Sequence, residues 1–290
     1  MKIGIVGLGL MGGSLGRALV KRTGHTVYAS DIDPEAMTKG ALLSAYHEEL
    51  TPDNAGELDM LFLAVVPSVM DGIMQPLLPR LKEGALVSDL AGVKRPVVAL
   101  MKEWAKVRPD LNFVGGHPMA GREFSGVAHS VAGLYEGASV LLVPVSNTIE
   151  SLAALKKLYL DAGAGGVVLT DADTHDEMIA YTSELAHIVS SAYVRSECAD
   201  RHYGYSAGSF RDMTRVARMN SAMWTELMEE NADYLAKEVR AMSERLAEYA
   251  DCLERGDREK LALLLEEGNR TKLFVEKDRL KKLQNALDGD

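Results

Sequence analysis

Short apolar runs alternate with helical periods over the first ~170 residues, and long amphipathic stretches with few breakers fill the rest. Runs at 2–6, 26–30, 60–65, 85–89, 112–115, 140–143 and 166–169 read as strands. Leu61-Phe62-Leu63-Ala64-Val65-Val66 is apolar at every position, which suits a strand covered on both faces rather than one. Between these runs, 67–81, 95–106 and 148–162 carry helical spacing, so strand and helix alternate as in a parallel α/β sheet. The texture changes at Thr170: no proline follows Pro144, and glycine becomes scarce. The spacing then predicts helices over 173–199, 207–217, 220–254 and 257–284. The expected organisation is an α/β domain over 1–170 and an all-α helical domain over 171–290. Helices this long pack on one another and often on a second subunit. The charged stretch 277–290 reads as a solvated helix end.

Composition narrows the classes of partner. With 290 residues the chain can bury two cores, and 47% apolar with 26% charged residues is a globular profile. A net charge of −10 repels polyanions, so neither a nucleic acid nor a membrane surface is the expected partner. A small anionic substrate stays compatible, because a few local arginines can override the overall field. No apolar run is long enough to span a bilayer, and Met1-Lys2 leads directly into strand-like sequence without a signal-peptide layout. Only Cys198 and Cys252 occur, both in stretches that read as helical and buried. That leaves neither a disulfide framework nor a Cys-based metal site, and the expectation is a cytoplasmic protein without a metal.

Gly7-Leu8-Gly9-Leu10-Met11-Gly12 follows the first strand and opens a helix, the context that makes a dinucleotide fingerprint specific. Gly7 permits the tight turn, Gly9 lets the backbone approach a pyrophosphate, and Gly12 lets helix and strand pack closely. The helix N-terminus adds free N–H groups for the phosphates. Asp31 lies 19 positions beyond Gly12, at the end of the second strand. A carboxylate there binds the ribose hydroxyls and repels a 2′-phosphate, so NAD is expected rather than NADP; Asp33 is the rival for that role. The first domain is therefore expected to be a Rossmann domain.

The second informative segment is Gly115-Gly116-His117-Pro118-Met119-Ala120-Gly121-Arg122-Glu123-Phe124-Ser125-Gly126. It sets a titratable imidazole between a glycine pair and a proline, on what reads as a stiff loop where a general acid or base is useful. The bland alternative is a turn histidine. Further on, Arg211 and Arg215 are four apart, hence on one helical face, with Asp212 beside them. Paired guanidinium groups bind carboxylates bidentately; the alternative is a solvated basic face running on to Arg218.

Together Gly7–Gly12 with Ser14, the His117-to-Gly126 segment, and Gly208 with Phe210-Arg211-Asp212-Met213-Thr214-Arg215-Val216-Ala217 resemble prephenate dehydrogenases. His175-Asp176 and Ser183…His187 are similar to that family's first long helix of the second domain. The resemblance covers residues 1 to about 235. It implies NAD-dependent oxidative decarboxylation of prephenate to 4-hydroxyphenylpyruvate, on the way to tyrosine. His117 would accept the hydrogen bond of the ring hydroxyl as general base. Arg215, and after it Arg211, would hold a substrate carboxylate, and Ser183 and His187 would face the cleft. Glu123 would act as a gate or ion-pair partner, with a surface acid as the equal alternative; His187 reads equally as a core histidine. The resemblance also implies a homodimer through the helical domain; with neither the regulatory αβ pattern that some relatives append nor a chorismate mutase-like helical segment in the sequence, the expectation is a single-function enzyme in which any tyrosine feedback would act at the active site.

Two positions depart from the family pattern. Gly92, in Asp89-Leu90-Ala91-Gly92-Val93-Lys94, stands where many members have a serine. Glu184 follows Ser183 where histidine or glutamine is common, and a carboxylate there could pair with the ammonium of arogenate. An arogenate dehydrogenase is thus the alternative substrate reading, and a non-catalytic NAD-sensing protein the alternative class. The opening glycines also resemble β-hydroxyacid dehydrogenases, but the only lysine four before an asparagine is Lys281…Asn285, without a glycine-rich lead.

Overall fold

The computed structural model describes residues 1–287, with side chains described to Lys277. The Lys281…Asn285 side chains and the last three residues of the charged end lie outside the described residues. Contacts gather Met1–Leu235 into one compact unit and the residues from Ala236 onward into a second.

The first unit is built on one eight-stranded sheet in the order β3-β2-β1-β4-β5-β6-β7-β8. Its strands are β1 (Lys2–Val6), β2 (Thr26–Ser30), β3 (Glu48–Glu49), β4 (Met60–Leu63), β5 (Leu86–Asp89), β6 (Asn112–Pro118), β7 (Ser139–Ser146) and β8 (Gly166–Leu169). All neighbours run parallel except β6 and β7, so the sheet is mixed rather than wholly parallel as expected. Helices α1 (Leu10–Arg22), α2 (Pro34–Leu42), α3 (Pro67–Leu77), α4 (Arg95–Val107) and α5 (Ile149–Asp161) cover it. The short α2 and β3 were absent from the sequence expectation. Pro34 opens α2, and Asp33 caps it by accepting from the Glu35 N–H at 2.9 Å.

Strand β4 shows why the apolar run at its centre is needed. Leu61 and Leu63 join a core with Met70, Met74, Met101 and Trp104 on one face of the sheet. Met60 and Phe62 join Leu15, Leu19 and Tyr159 on the other. All four β4 residues are buried, consistent with two covered faces. On α4, Val97, Met101 and Trp104 are buried at helical spacing, and the Trp104 indole N–H donates to Asp71 Oδ1 at 2.9 Å.

After β8 the chain is helical: α6 (Ala172–Ile179), α7 (Leu185–Val194), α8 (Gly208–Thr214), α9 (Ser221–Glu230), α10 (Ala232–Arg255) and α11 (Arg258–Leu287). The helix expected over 173–199 is interrupted by a wide π-type turn at Ala180–Glu184 and stops at Val194. Cys198 lies beyond that end and is exposed, contrary to expectation, whereas Cys252 is buried. The stretch expected as one helix over 220–254 is broken at Asn231. From Asp257 onward, Leu263, Leu265, Phe274 and Val275 of α11 are exposed apolar side chains.

Candidate active site

Parallel strands β1, β4, β5 and β6 deliver their C-terminal ends to one edge of the sheet, where ligands bind in open α/β folds. Four features meet there: the glycine-rich turn after β1, Val65 after β4, the 89–94 turn after β5, and His117 near the end of β6.

The glycine turn has the shape that a pyrophosphate needs. Gly7 has φ +95°, and a Cβ there would lie 2.5 Å from the Ala64 carbonyl oxygen. A Cβ on Gly12 would fall 2.0 Å from the Gly7 carbonyl oxygen, which explains the close seat of α1. Gly9 has no neighbour within 4 Å of its Cβ position, so that side of the turn is open to a ligand. Leu8 is buried beneath the turn, Leu10 begins α1, and the Met11 carbonyl accepts from the Tyr135 hydroxyl at 2.7 Å. Asp31 Oδ2 accepts the Leu8 N–H at 2.6 Å and Oδ1 the Asp33 N–H at 2.9 Å. These bonds hold the carboxylate beside the turn with lone pairs left for a ribose. Asp33 instead caps α2. The residues present therefore fit a dinucleotide.

His117 sits inside β6, paired opposite Leu141 of β7, rather than on a loop. Ladder pairing is a firmer mount than the expected stiff loop. Its ring is half-buried, and Nδ1 lies 2.9 Å from His175 Nε2. His175 Nδ1 in turn lies 2.7 Å from Asp176 Oδ1. Asp176 also accepts the backbone N–H groups of Lys94 (2.7 Å) and Arg95 (2.8 Å), which tie α6 to the start of α4. Under this chain lies a fully buried ion pair of Lys94 and Asp89. Asp89 is further satisfied by the Ala91 and Gly116 N–H groups, both at 2.9 Å. Burial, with the nearby His175 and the Lys94 charge, holds the His117 imidazole well below its ordinary pKa, so it is neutral at about pH 7. Burial and the Lys94 charge also lower His175, against the pull of Asp176. Burial alone would raise Asp176, but the bonds from His175, Arg95 and Lys94 keep it below the usual carboxylate range.

The other expected residues separate into distinct surroundings. Arg215 lies in a tight turn after α8, so it does not continue the helical face of Arg211. Its guanidinium donates to Glu123 Oε1 at 2.6 Å, joining the loop after His117 to the helical region. Arg211 is exposed. His187 donates from Nδ1 to the Ser183 carbonyl at 2.9 Å, and its ring packs on Trp224 with centroids 3.9 Å apart. Ser183 is half-buried. Glu184 parts company with both: it is 2% exposed, and its Oε2 accepts from Asn231 Nδ2 at 2.8 Å. Burial first, and then the neighbouring Asp176, push Glu184 up to about 7. A Cβ at Gly92 would meet only Leu227, at an ordinary 3.5 Å.

Sequence reasoning left His175, Asp176, Lys94 and Asn231 without roles. The adjacent His175-Asp176 at a helix start was a usable signal. Asn231 carried none, because its value comes from bridging three distant groups: Asp176 O, Glu184 and Arg95.

The family model described as the prephenate dehydrogenase nucleotide-binding domain matches residues 15–185, and the one described as the prephenate dehydrogenase dimerization domain matches residues 171–267. A prephenate dehydrogenase of Lactococcus lactis is 30% identical over 285 residues, 95% of this chain and 77% of that protein. Among solved structures, prephenate dehydrogenase of Aquifex aeolicus in complex with hydroxyphenyl propionate and NAD+ matches with TM-score 0.80 and 28% identity, over 95% of this chain and 98% of that one. Synechocystis arogenate dehydrogenase matches with TM-score 0.76 and 26% identity, over 94% of this chain and all of that one. These findings bear out the Rossmann N-terminal domain, the helical C-terminal region and NAD as the cofactor.

Proposed function

Because the chain belongs to the prephenate dehydrogenase family, we propose that it converts prephenate to 4-hydroxyphenylpyruvate by NAD-dependent oxidative decarboxylation, in the route to tyrosine. The observation that carries this reading is a neutral, half-buried His117 whose Nδ1 is taken by His175. Its Nε2 has no protein partner among the described residues and is the atom left to act as base. Bound at the glycine turn, NAD supplies the hydride acceptor. As hydride leaves the carbon bearing the ring hydroxyl, His117 Nε2 takes the hydroxyl proton, and the O–H bonding pair becomes the second bond of the carbonyl. Loss of carbon dioxide then returns the C–C bonding pair to the ring, the carbonyl π pair moves to oxygen, and that oxygen recovers the proton from His117, so the ring is an aromatic phenol. A base so placed contributes roughly 10²–10⁴ in rate.

Arg215 exchanges Glu123 for a substrate carboxylate, which makes Glu123 a gate; Arg211 is the second cation. Ser183 and His187 line the same cleft, with Trp224 holding the His187 ring. Residues 1–170 bind the cofactor, and 171–290 bind substrate and form a homodimer. The exposed apolar residues Leu263, Leu265, Phe274 and Val275 support that dimer. An exposed thiol at Cys198 suits a reducing cytoplasm. Prephenate is favoured over arogenate because Glu184 is buried and engaged by Asn231 rather than free for an ammonium.

The test is NADH formation by purified protein with NAD and either prephenate or arogenate. Turnover of prephenate supports the reading. Turnover of arogenate alone moves the specificity to an unidentified anion, and NAD binding without turnover of either favours a sensing protein.

A further inference from the structure

The short chain of groups behind His117 has a direction, and that direction fixes which ring nitrogen is free. Asp176 accepts two backbone N–H groups besides His175, so it is the acceptor end of the chain. A histidine nitrogen 2.7 Å from such a carboxylate carries a proton. In neutral His175 the other nitrogen, Nε2, is then a bare acceptor. It faces His117 Nδ1 at 2.9 Å, so that nitrogen must donate.

We infer that His175 and Asp176 are positioning residues that hold His117 as its Nδ1–H tautomer, so that its lone pair lies on Nε2. The inference rests on the proposed role of His117 as base and deepens it. One proton moves in the step: it leaves the substrate oxygen, forms the Nε2–H bond, and makes an imidazolium whose Nδ1–H still points at His175. The ring keeps its hydrogen bond in both states, so nothing must reorient during transfer. Gly92 gains a reason as well. With the ring fixed from its Nδ1 side, no hydroxyl at position 92 is needed to orient it, although the space there would admit one.

Nitrogen-15 NMR of the histidine-labelled full-length protein reads the tautomer without any substrate. The His117 signals are assigned by their loss in His117→Asn. The expected result is protonated Nδ1 and bare Nε2 at His117, with the same state at His175. Replacing Asp176 by alanine removes the acceptor that holds the proton on His175 Nδ1, so His175 can donate from Nε2 and leave His117 protonated on Nε2. For that variant kcat falls at least a hundredfold, with KM for prephenate and Kd for NAD within about threefold. Should Asp176→Ala fail to fold, His175→Gln and His175→Phe decide instead. Glutamine restores an acceptor for His117 Nδ1–H and keeps kcat within about tenfold; phenylalanine offers none and loses the hundredfold. An Nε2–H tautomer in the parent protein, or equal kcat in the glutamine and phenylalanine variants, overturns the inference. A parent that turns over no substrate contradicts the proposed function instead, and the parent spectrum still decides the tautomer.

Discussion

Replacing Glu184 with glutamine should stabilise the protein, and increasingly so as pH rises. Glu184 is 2% exposed, its one hydrogen bond among the described residues comes from neutral Asn231, and Asp176 lies near. Burial raises its pKa from an ordinary 4.5 to about 7. Between those values the unfolded chain releases this proton while the folded protein keeps it. Stability therefore falls as pH rises from about 4.5 and levels off above about 7. At about 1.4 kcal/mol per pH unit the full displacement is worth about 3 kcal/mol, of which about 2 to 3 is lost between pH 5 and pH 9. Glutamine keeps an acceptor for Asn231 Nδ2 and cannot titrate. Urea unfolding of both proteins at about pH 5, 7 and 9 measures the difference. The expected gap widens by about 2 to 3 kcal/mol from the lowest pH to the highest, in favour of Glu184→Gln. A gap that stays constant across that range refutes the reasoning, because it would mean that the folded and unfolded carboxyls titrate alike.

Other substitutions test the cofactor turn and the Arg215 contact. Gly9→Ala should unfold at the same temperature as the parent, since its Cβ meets nothing within 4 Å, yet bind NAD at least tenfold more weakly by calorimetry. Gly12→Ala should fail by unfolding instead, its Cβ falling 2.0 Å from the Gly7 oxygen. Arg215→Ala should lose about 1.5–3 kcal/mol of substrate binding, read as a ten- to hundredfold higher KM for prephenate; Glu123→Gln, which frees the arginine, should leave KM no higher than the parent's. Asp31→Asn keeps an acceptor for the Leu8 N–H but removes the charge facing a 2′-phosphate, so the NAD-to-NADP ratio of kcat/KM should fall at least tenfold.

What the sequence made legible was whatever depends on local chemistry. The Gly7–Gly12 turn, the doubly covered β4 run and the His117 segment announce themselves through spacing, and the structure brings all three to one sheet edge. The antiparallel pairing of β6 and β7 was hidden because an antiparallel pair and a parallel one use the same apolar residues. That pairing moves His117 from a loop into a strand. The π-type turn at Ala180–Glu184 was hidden for a related reason. One extra residue in a helix shifts the phase of everything beyond it, so residues 184–194 take a different face relative to His175-Asp176 than unbroken helical spacing gives. The support of the histidine was the least legible part. Asp89, Lys94, Asp176 and Asn231 come from the end of β5, the β5–α4 connection, α6 and the break before α10, and only folding makes them neighbours.

The central claim is that a neutral His117 takes a proton while NAD takes a hydride from prephenate. Its most direct test is NADH formation from prephenate by the parent protein and by His117→Asn, side by side, with carbon dioxide and 4-hydroxyphenylpyruvate quantified. The account predicts equal amounts of the three products from the parent, and a rate at least a hundredfold lower in the variant at unchanged NAD affinity. Parent-like turnover in His117→Asn would contradict it.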